Sequence, residues 1–144
     1  MSEDLDYVKN RLESQIEWYS KKASENKSRF HTLQIIIIII GALISVVNVI
    51  DFAELEVRII SAIFGATITI LTGIIQLIKY HENWIMYRST EEVLKKEKYS
   101  YLNEVGEYSG LASDIRLKRL VENVESIISN QNVVYFITHK RTEG

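Results

Sequence analysis

Two long stretches of this sequence, 32–50 and 59–78, carry no charged residue, and the side chains in them that could do chemistry are those that interrupt an apolar run. In the first, Gln34, Gly41, Ser45 and Asn48 fall at steps of seven, four and three, which sets them along one side of a helix. In the second, Ala62, Gly65, Thr69, Thr72, Gly73 and Gln76 do the same. Hydroxyls and amides in an apolar medium have two uses. Lining a pore, they replace part of an ion's hydration shell. Between helices they hydrogen-bond, while small residues at every fourth position let the backbones approach. Both uses stay open here, since one helix can line while the other packs.

Charged candidates flank these stretches. Asp51, Glu54 and Glu56 share a short connection with Arg58 alone. Repeated around a ring of subunits, those carboxylates would concentrate cations at an outer mouth. A weak cation preference is the expectation, opposed by Lys27, Arg29 and Lys79 near the other end. Arg88 stands one turn before Glu91 and Glu92, and with Glu122 or Glu125 these residues could form a buried ion-pair network that sets the register of a bundle. A solvated charged face is the simpler account. His31 and His81 would meet at adjacent helix ends, where a titrating pair can sense pH; two interfacial polar residues that end apolar helices are the simpler account.

Catalysis finds little support. The segment HENWI at His81 lacks the second histidine, four residues on, that a zinc-protease helix needs. There is no phosphate-cradling glycine loop, no nucleophile elbow and no cysteine. No catalytic residue, metal site or cofactor is expected. Residues 1–31 hold six basic and six acidic side chains, and 79–144 hold ten of each, so no basic face is available to a nucleic acid.

The elements that position these groups follow from length. Eighteen to twenty helical residues reach about 30 Å, the thickness of a bilayer's hydrocarbon core. A signal peptide is a poor fit, because 31 residues including Glu3, Asp4 and Asp6 precede the first apolar stretch. A strand would end within eight residues, and a soluble bundle of 144 residues has too little interior to hide two such helices. Lys21, Lys22, Lys27 and Arg29 before the first span, and Lys79, Arg88, Lys95, Lys96 and Lys98 after the second, place both termini in the cytoplasm and the protein in the inner membrane. Phe30, Phe52, Tyr80, Trp84 and Tyr87 suit the interfaces.

Outside the spans the apolar residues recur at helical spacing. Leu5, Val8, Leu12, Ile16, Tyr19 and Ala23 form one stripe, with Ser2 as N-cap; Tyr80, Trp84, Tyr87, Leu94 and Tyr101 form a second, with Glu91 at a position where an apolar residue is expected. Leu117, Leu120, Val121, Val124, Ile128 and Tyr135 form a third, behind the glycine-bearing break Gly106 to Gly110. The fold class that results is an all-α membrane protein, a two-transmembrane helical hairpin whose cytoplasmic extensions form a bundle, assembled as a homo-oligomer. Its layout is a cytoplasmic helix at 1–31 continuous with the first span at 32–50, an acidic loop at 51–58, the second span at 59–78, a helix at 79–105 continuous with it, a loop at 106–112, a helix at 113–137 and a tail at 138–144.

The stretch WIMYRSTEEVLKKEKYSYL, Trp84 to Leu102, followed by LKRLVENVESII, Leu117 to Ile128, resembles the two-transmembrane SLATT families and the closely related domain of unknown function 4231. The resemblance covers roughly Arg29 to Tyr135 and is most specific at Trp84, Arg88, Glu91 or Glu92, Leu94, Glu97 and Tyr101. It departs after the fourth helix's VE-x-I motif, where Asn130, Gln131 and Asn132 stand in place of an acidic residue and a tryptophan. Such a resemblance implies a pore-forming membrane effector of a bacterial defence or stress system. The partners expected are the lipid bilayer, further copies of the chain, ions and a cytoplasmic regulatory protein. The alternative is a non-conducting membrane scaffold whose bundle recruits a partner.

Overall fold

No proline interrupts this chain, and among the described residues the backbone is helical with no strand. The computed structural model describes residues 6–49 and 54–140, so Ser2, Leu5, Asp51 and Phe52 lie outside the described residues. A π-helical segment, Val8–Glu13, leads into α1 (Ser14–Val47); α2 (Glu54–Ile78), α3 (Tyr80–Leu102), a 3-10 turn at Gly106–Tyr108 and α4 (Ser113–Lys140) follow. The chain divides into two compact units, Glu25–Asn83 and the segments on either side of it.

The flanking segments form a three-helix bundle. Its core draws Val8, Leu12 and Tyr19 from the N-terminal segment, Leu94 and Tyr101 from α3, Tyr108 from the turn, and Leu120 and Val124 from α4. These are stripe residues at spacings of three, four and seven, which is why each helix presents one face inward. The π-helical stretch holds Val8 and Leu12, four apart, both in the core, because a π turn takes more than four residues and keeps such positions nearly in line. Tyr135, the last residue of the α4 stripe, is exposed and outside the core.

The reversal between α3 and α4 is built by its backbone. Val105 N–H bonds to the Ser100 carbonyl (3.1 Å) and Glu104 N–H to that of Tyr101 (3.3 Å), the paired bonds of a Schellman ending, with Glu104 at φ 56. Gly106 and Gly110, at φ 64 and 70, then supply left-handed turns on either side of Tyr108. The turn thereby returns Tyr108 to the core, where its ring meets Tyr101 edge-on at 5.8 Å.

The other unit pairs the later part of α1 with α2. Positions of intermediate burial on α1 are Leu33, Gln34, Ile37, Ile40, Gly41, Ile44 and Val47; on α2 they include Val57, Ile60, Phe64, Ile68 and Leu71, next to the buried Ile75. Each set is a single helical face. Among the described residues of this unit only Ile75 and Asn83 are buried. Two helical stretches are long and apolar enough to cross a membrane, and none of either apolar window is buried within the chain. That exposure disposes of the soluble bundle with two sequestered core helices.

The expectation of a helix unbroken from the second span through 105 is amended at one residue. Lys79 sits between α2 and α3 at φ 53, a left-handed conformation that costs a non-glycine residue about 1 kcal/mol. Its amide still bonds to the Ile75 carbonyl (3.1 Å), and the Asn83 side-chain amide donates to the Ile78 carbonyl (3.0 Å), which completes the end of α2.

Leu120 is fully buried among large side chains. Leu120→Ala is therefore expected to destabilise the bundle by about 2–5 kcal/mol, read as a lowered midpoint in denaturant titrations of the detergent-solubilised protein followed by circular dichroism. An unchanged midpoint would contradict this packing.

Candidate functional site

The polar residues of the hairpin straddle the edge of its contact face. Gln34, Gly41, Gly65 and Thr72 are of intermediate burial, and Ser45, Asn48, Thr69 and Gln76 are exposed. At 3.6 residues per turn, the polar set of α1 centres about a sixth of a turn from the centre of that helix's contact face. In α2 the polar set lies about a quarter turn from its contact face, in the same rotational sense. Two antiparallel helices packed face to face are related by a two-fold axis through their contact, and such an axis carries equal rotations to the same flank. Both polar stripes therefore share one flank of the hairpin. The opposite flank is formed by the exposed Ile36, Ile39, Leu43 and Val46 of α1 and Ile63, Ile70 and Ile74 of α2. The division is incomplete: Ile38 stands on the polar flank, and Thr32, Glu56 and Thr67 on the apolar one.

Close packing within the chain does not account for the glycines. A Cβ added at Gly41, Gly65 or Gly73 would meet no atom within 4 Å. Several polar groups instead satisfy themselves locally. The Thr69 hydroxyl donates to the Gly65 carbonyl (2.9 Å), that of Thr67 to Ile63 (2.9 Å), and the Asn48 amide to Ile44 (2.7 Å). Ser61, which the sequence reading did not single out, has a buried hydroxyl without a hydrogen-bond partner on the contact face.

At the ends of the hairpin, the His81 ring packs on Phe30 at 5.0 Å, and Phe30 lies 5.8 Å from the His31 ring. An aromatic side chain thus joins the two histidines. Glu54 and Glu56 are exposed in the first turn of α2, where carboxylates interact favourably with the helix dipole. Asp51, the third acidic candidate, lies outside the described residues.

In the bundle, Arg88 reaches both of its candidate partners, Glu91 at 2.9 Å and Glu92 at 2.8 Å. Lys95 adds a 2.7 Å bond to Glu91, whose side chain is almost wholly buried while both cations remain partly in water. Glu91 occupies its apolar stripe because these cations cover its carboxylate and Ser20 of the N-terminal helix hydrogen-bonds to it. Burial pushes the Glu91 carboxyl up, but the hydrogen bonds from Lys95 and Ser20 and the charges of Lys95 and Arg88 outweigh it, leaving it below the usual range. Neither fourth-helix candidate joins this cluster. Glu122 is exposed, and Glu125 takes a forked pair of bonds from Arg11, at 3.0 and 3.1 Å.

Several structuring residues escaped the sequence reading. Tyr7 donates to Glu125 at 3.4 Å, and burial together with the Glu125 charge pushes its phenol up to about 12. Lys98 bonds to Glu13 at 2.6 Å across helices. Thr90 donates to the side-chain amide oxygen of Gln131 at 2.7 Å, so the unusual Asn130 to Asn132 stretch ties α4 to α3 through an uncharged contact. The Tyr108 hydroxyl donates to Glu97 at 2.6 Å and accepts from Asn123 at 3.1 Å. The available signals were the near-alternation of opposite charges on helices already assigned to a bundle, and an aromatic between two glycines. An open groove of about 260 Å³ runs beside Glu13, Glu17, Ser20, Glu91, Lys95 and Lys98, with its lysines paired to carboxylates. No group of three metal-ligating side chains occurs among the described residues.

The sequence profile of a family described as a protein of unknown function, DUF4231, matches residues 14–114, from the start of α1 into the first turn of α4. No curated protein and no solved structure matches the chain.

The Arg11 hydrogen bond is the main reason the Glu125 carboxyl titrates below its ordinary value of 4.5, against a smaller opposing effect of burial. A depressed folded pKa stabilises the bundle fully above the unfolded value, and that stabilisation is lost as pH falls through the folded one. Glu125→Gln should lower stability at pH 7 and flatten its decline below pH 4.5, although Glu13 and Glu91, also depressed, will retain part of the slope. Thermal melts of both proteins from pH 7 to pH 3 check this; parallel curves would contradict it.

Proposed function

Since the chain belongs to the DUF4231 family, whose description names no activity, we propose its function from the hairpin: a homo-oligomeric membrane protein that conducts ions through a pore lined by the polar flank. The two apolar helices cross the inner membrane, both termini lie in the cytoplasm, and the three-helix bundle assembles the copies. The sidedness of the hairpin carries this reading. In lipid, exposed hydroxyls and amides seek water or another protein surface. A ring of hairpins with that flank inward meets the requirement, with Gln34, Ser45, Asn48, Thr69, Thr72 and Gln76 in the lumen and the isoleucine flank outward or against a neighbour. Closed rings of identical subunits are a common outcome of such self-association. A single two-helix hairpin encloses no lumen, so assembly is part of the function. An effector role in bacterial defence or stress fits a pore whose opening is harmful unless controlled, and control would come through the bundle and a cytoplasmic regulatory protein.

Planar-bilayer recording tests the lining directly, because the chain has no cysteine of its own. Ser45→Cys or Asn48→Cys should make the current sensitive to a water-soluble thiol reagent, and Leu43→Cys on the apolar flank should not. Absence of current under varied voltage and pH, from assemblies large enough to form a ring, would favour the scaffold, with the polar flank serving helix packing alone. A periplasmic reporter fused after Gly144 is expected to be inactive; activity there would reverse the orientation.

A further inference from the structure

Within the hairpin, the charges are sorted between the two flanks by the helix boundaries. With α2 beginning at Glu54, four-residue spacing sets Glu54 and Arg58 on the flank that carries Gly65, Thr69, Thr72 and Gln76, whereas Glu56 falls half a turn away, on the apolar side. Arg58 lies about 6 Å further along α2 than Glu54, toward the middle of the apolar stretch, and is exposed. Among the described residues no carboxylate stands within 4 Å of its guanidinium. At the other end, Lys27 precedes Gln34 by seven residues and shares its flank, while Glu25 and Arg29 are turned toward the apolar side. Lys79 follows α2 in helical register, its amide still bonded to Ile75, five turns beyond Ser61 and so at the edge between the contact face and the polar flank. In α1 and α2 of this unit the polar flank therefore carries two basic residues, Lys27 and Arg58, to one acidic, Glu54.

An ionisable side chain on a membrane-crossing helix marks a water-filled path when it sits on the polar side. From this juxtaposition we infer that the pathway selects small inorganic anions, with Arg58 as the residue that sets the preference. The inference rests on the pore reading above and reverses the cation preference expected from the loop carboxylates. Identical subunits would repeat Arg58 around the lumen, one turn deeper than the ring of Glu54, so an entering ion meets the guanidinium charges last before the uncharged stretch. The uncharged lining works in the other direction. Thr69 and Asn48 donate to their own helix and so turn oxygens outward, which suits cations. Those are local dipoles, however, whereas full charges act over a screening length of about 8 Å at physiological ionic strength and dominate ion entry.

The test is the reversal potential of the full chain in planar bilayers under a potassium chloride gradient. The unaltered protein should reverse on the chloride side of zero, and Arg58→Lys should do the same. Arg58→Cys allows charge to be installed on an assembled protein without a folding requirement. A sulfonate-bearing thiol reagent should move its reversal to the potassium side, and an ammonium-bearing one should return it to the chloride side. Reversal of the unaltered protein on the potassium side, or equal reversal of Arg58→Cys after either reagent, overturns the assignment while leaving the pore intact. Complete silence of the unaltered protein overturns the pore itself, and anion selection with it.

Discussion

The governing constraint on this molecule is the apolar surface it cannot bury. Fourteen large aliphatic side chains of α1, α2 and the residues between them are exposed in the hairpin, from Ile35 to Ile78. One helix packed against one other can cover only a single face of each. Among the described residues of this unit no third layer covers those side chains, and their exposure to water is unfavourable. The bilayer proposed above would cover them without further structure, and it would also account for the glycines with open space above them and for the polar flank. Each of these would be an oddity on a surface facing water on all sides.

The bundle answers to a different balance. Its apolar core is small, and the helices are located by polar ties between them as much as by burial. Arg11 with Glu125 joins the N-terminal segment to α4, Lys98 with Glu13 joins it to α3, and Thr90 with Gln131 joins α3 to α4. Such pairs add little stability where they are exposed, but each permits one register and penalises others. Glu91 is the costlier case, a carboxylate taken out of water and tolerated because cations and a hydroxyl cover it. A helix held in register at its N-terminal end continues as α1 into the hairpin without a break, since α1 spans Ser14–Val47. Any agent that altered the ties would therefore act on an element shared with the apolar unit.

Much of the molecule was legible in the sequence for a simple reason. Helical periodicity and uncharged length are one-dimensional signals, and neither needs a partner to be read. Val8, Leu12, Tyr19, Ala23, Leu94, Tyr101, Leu120 and Val124 declared themselves by spacing, and the two apolar stretches by length alone. Arg88 with Glu91 and Glu92 was readable because the pairing is local, within one turn. Glu125 was legible only as a charge on α4. Its partner Arg11 is 114 positions away, and nothing in spacing chooses it over Arg88. Tyr108 was hidden because a residue between two glycines reads as loop until the turn is seen to fold it inward.

The sequence by itself determined which residues seek apolar surroundings, where the helices run and that the hairpin's polar residues form a stripe on each helix, because these depend on composition and a fixed turn of 3.6 residues. Only the tertiary structure decided which face of each helix meets the other, and so that both stripes fall on the same flank while Glu56 is turned away from Glu54 and Arg58. The left-handed break at Lys79 and the long-range choice of Arg11 for Glu125 were decided there too. Each of those outcomes is a relation between two elements, and a relation between elements is set by packing, which no single helical segment contains.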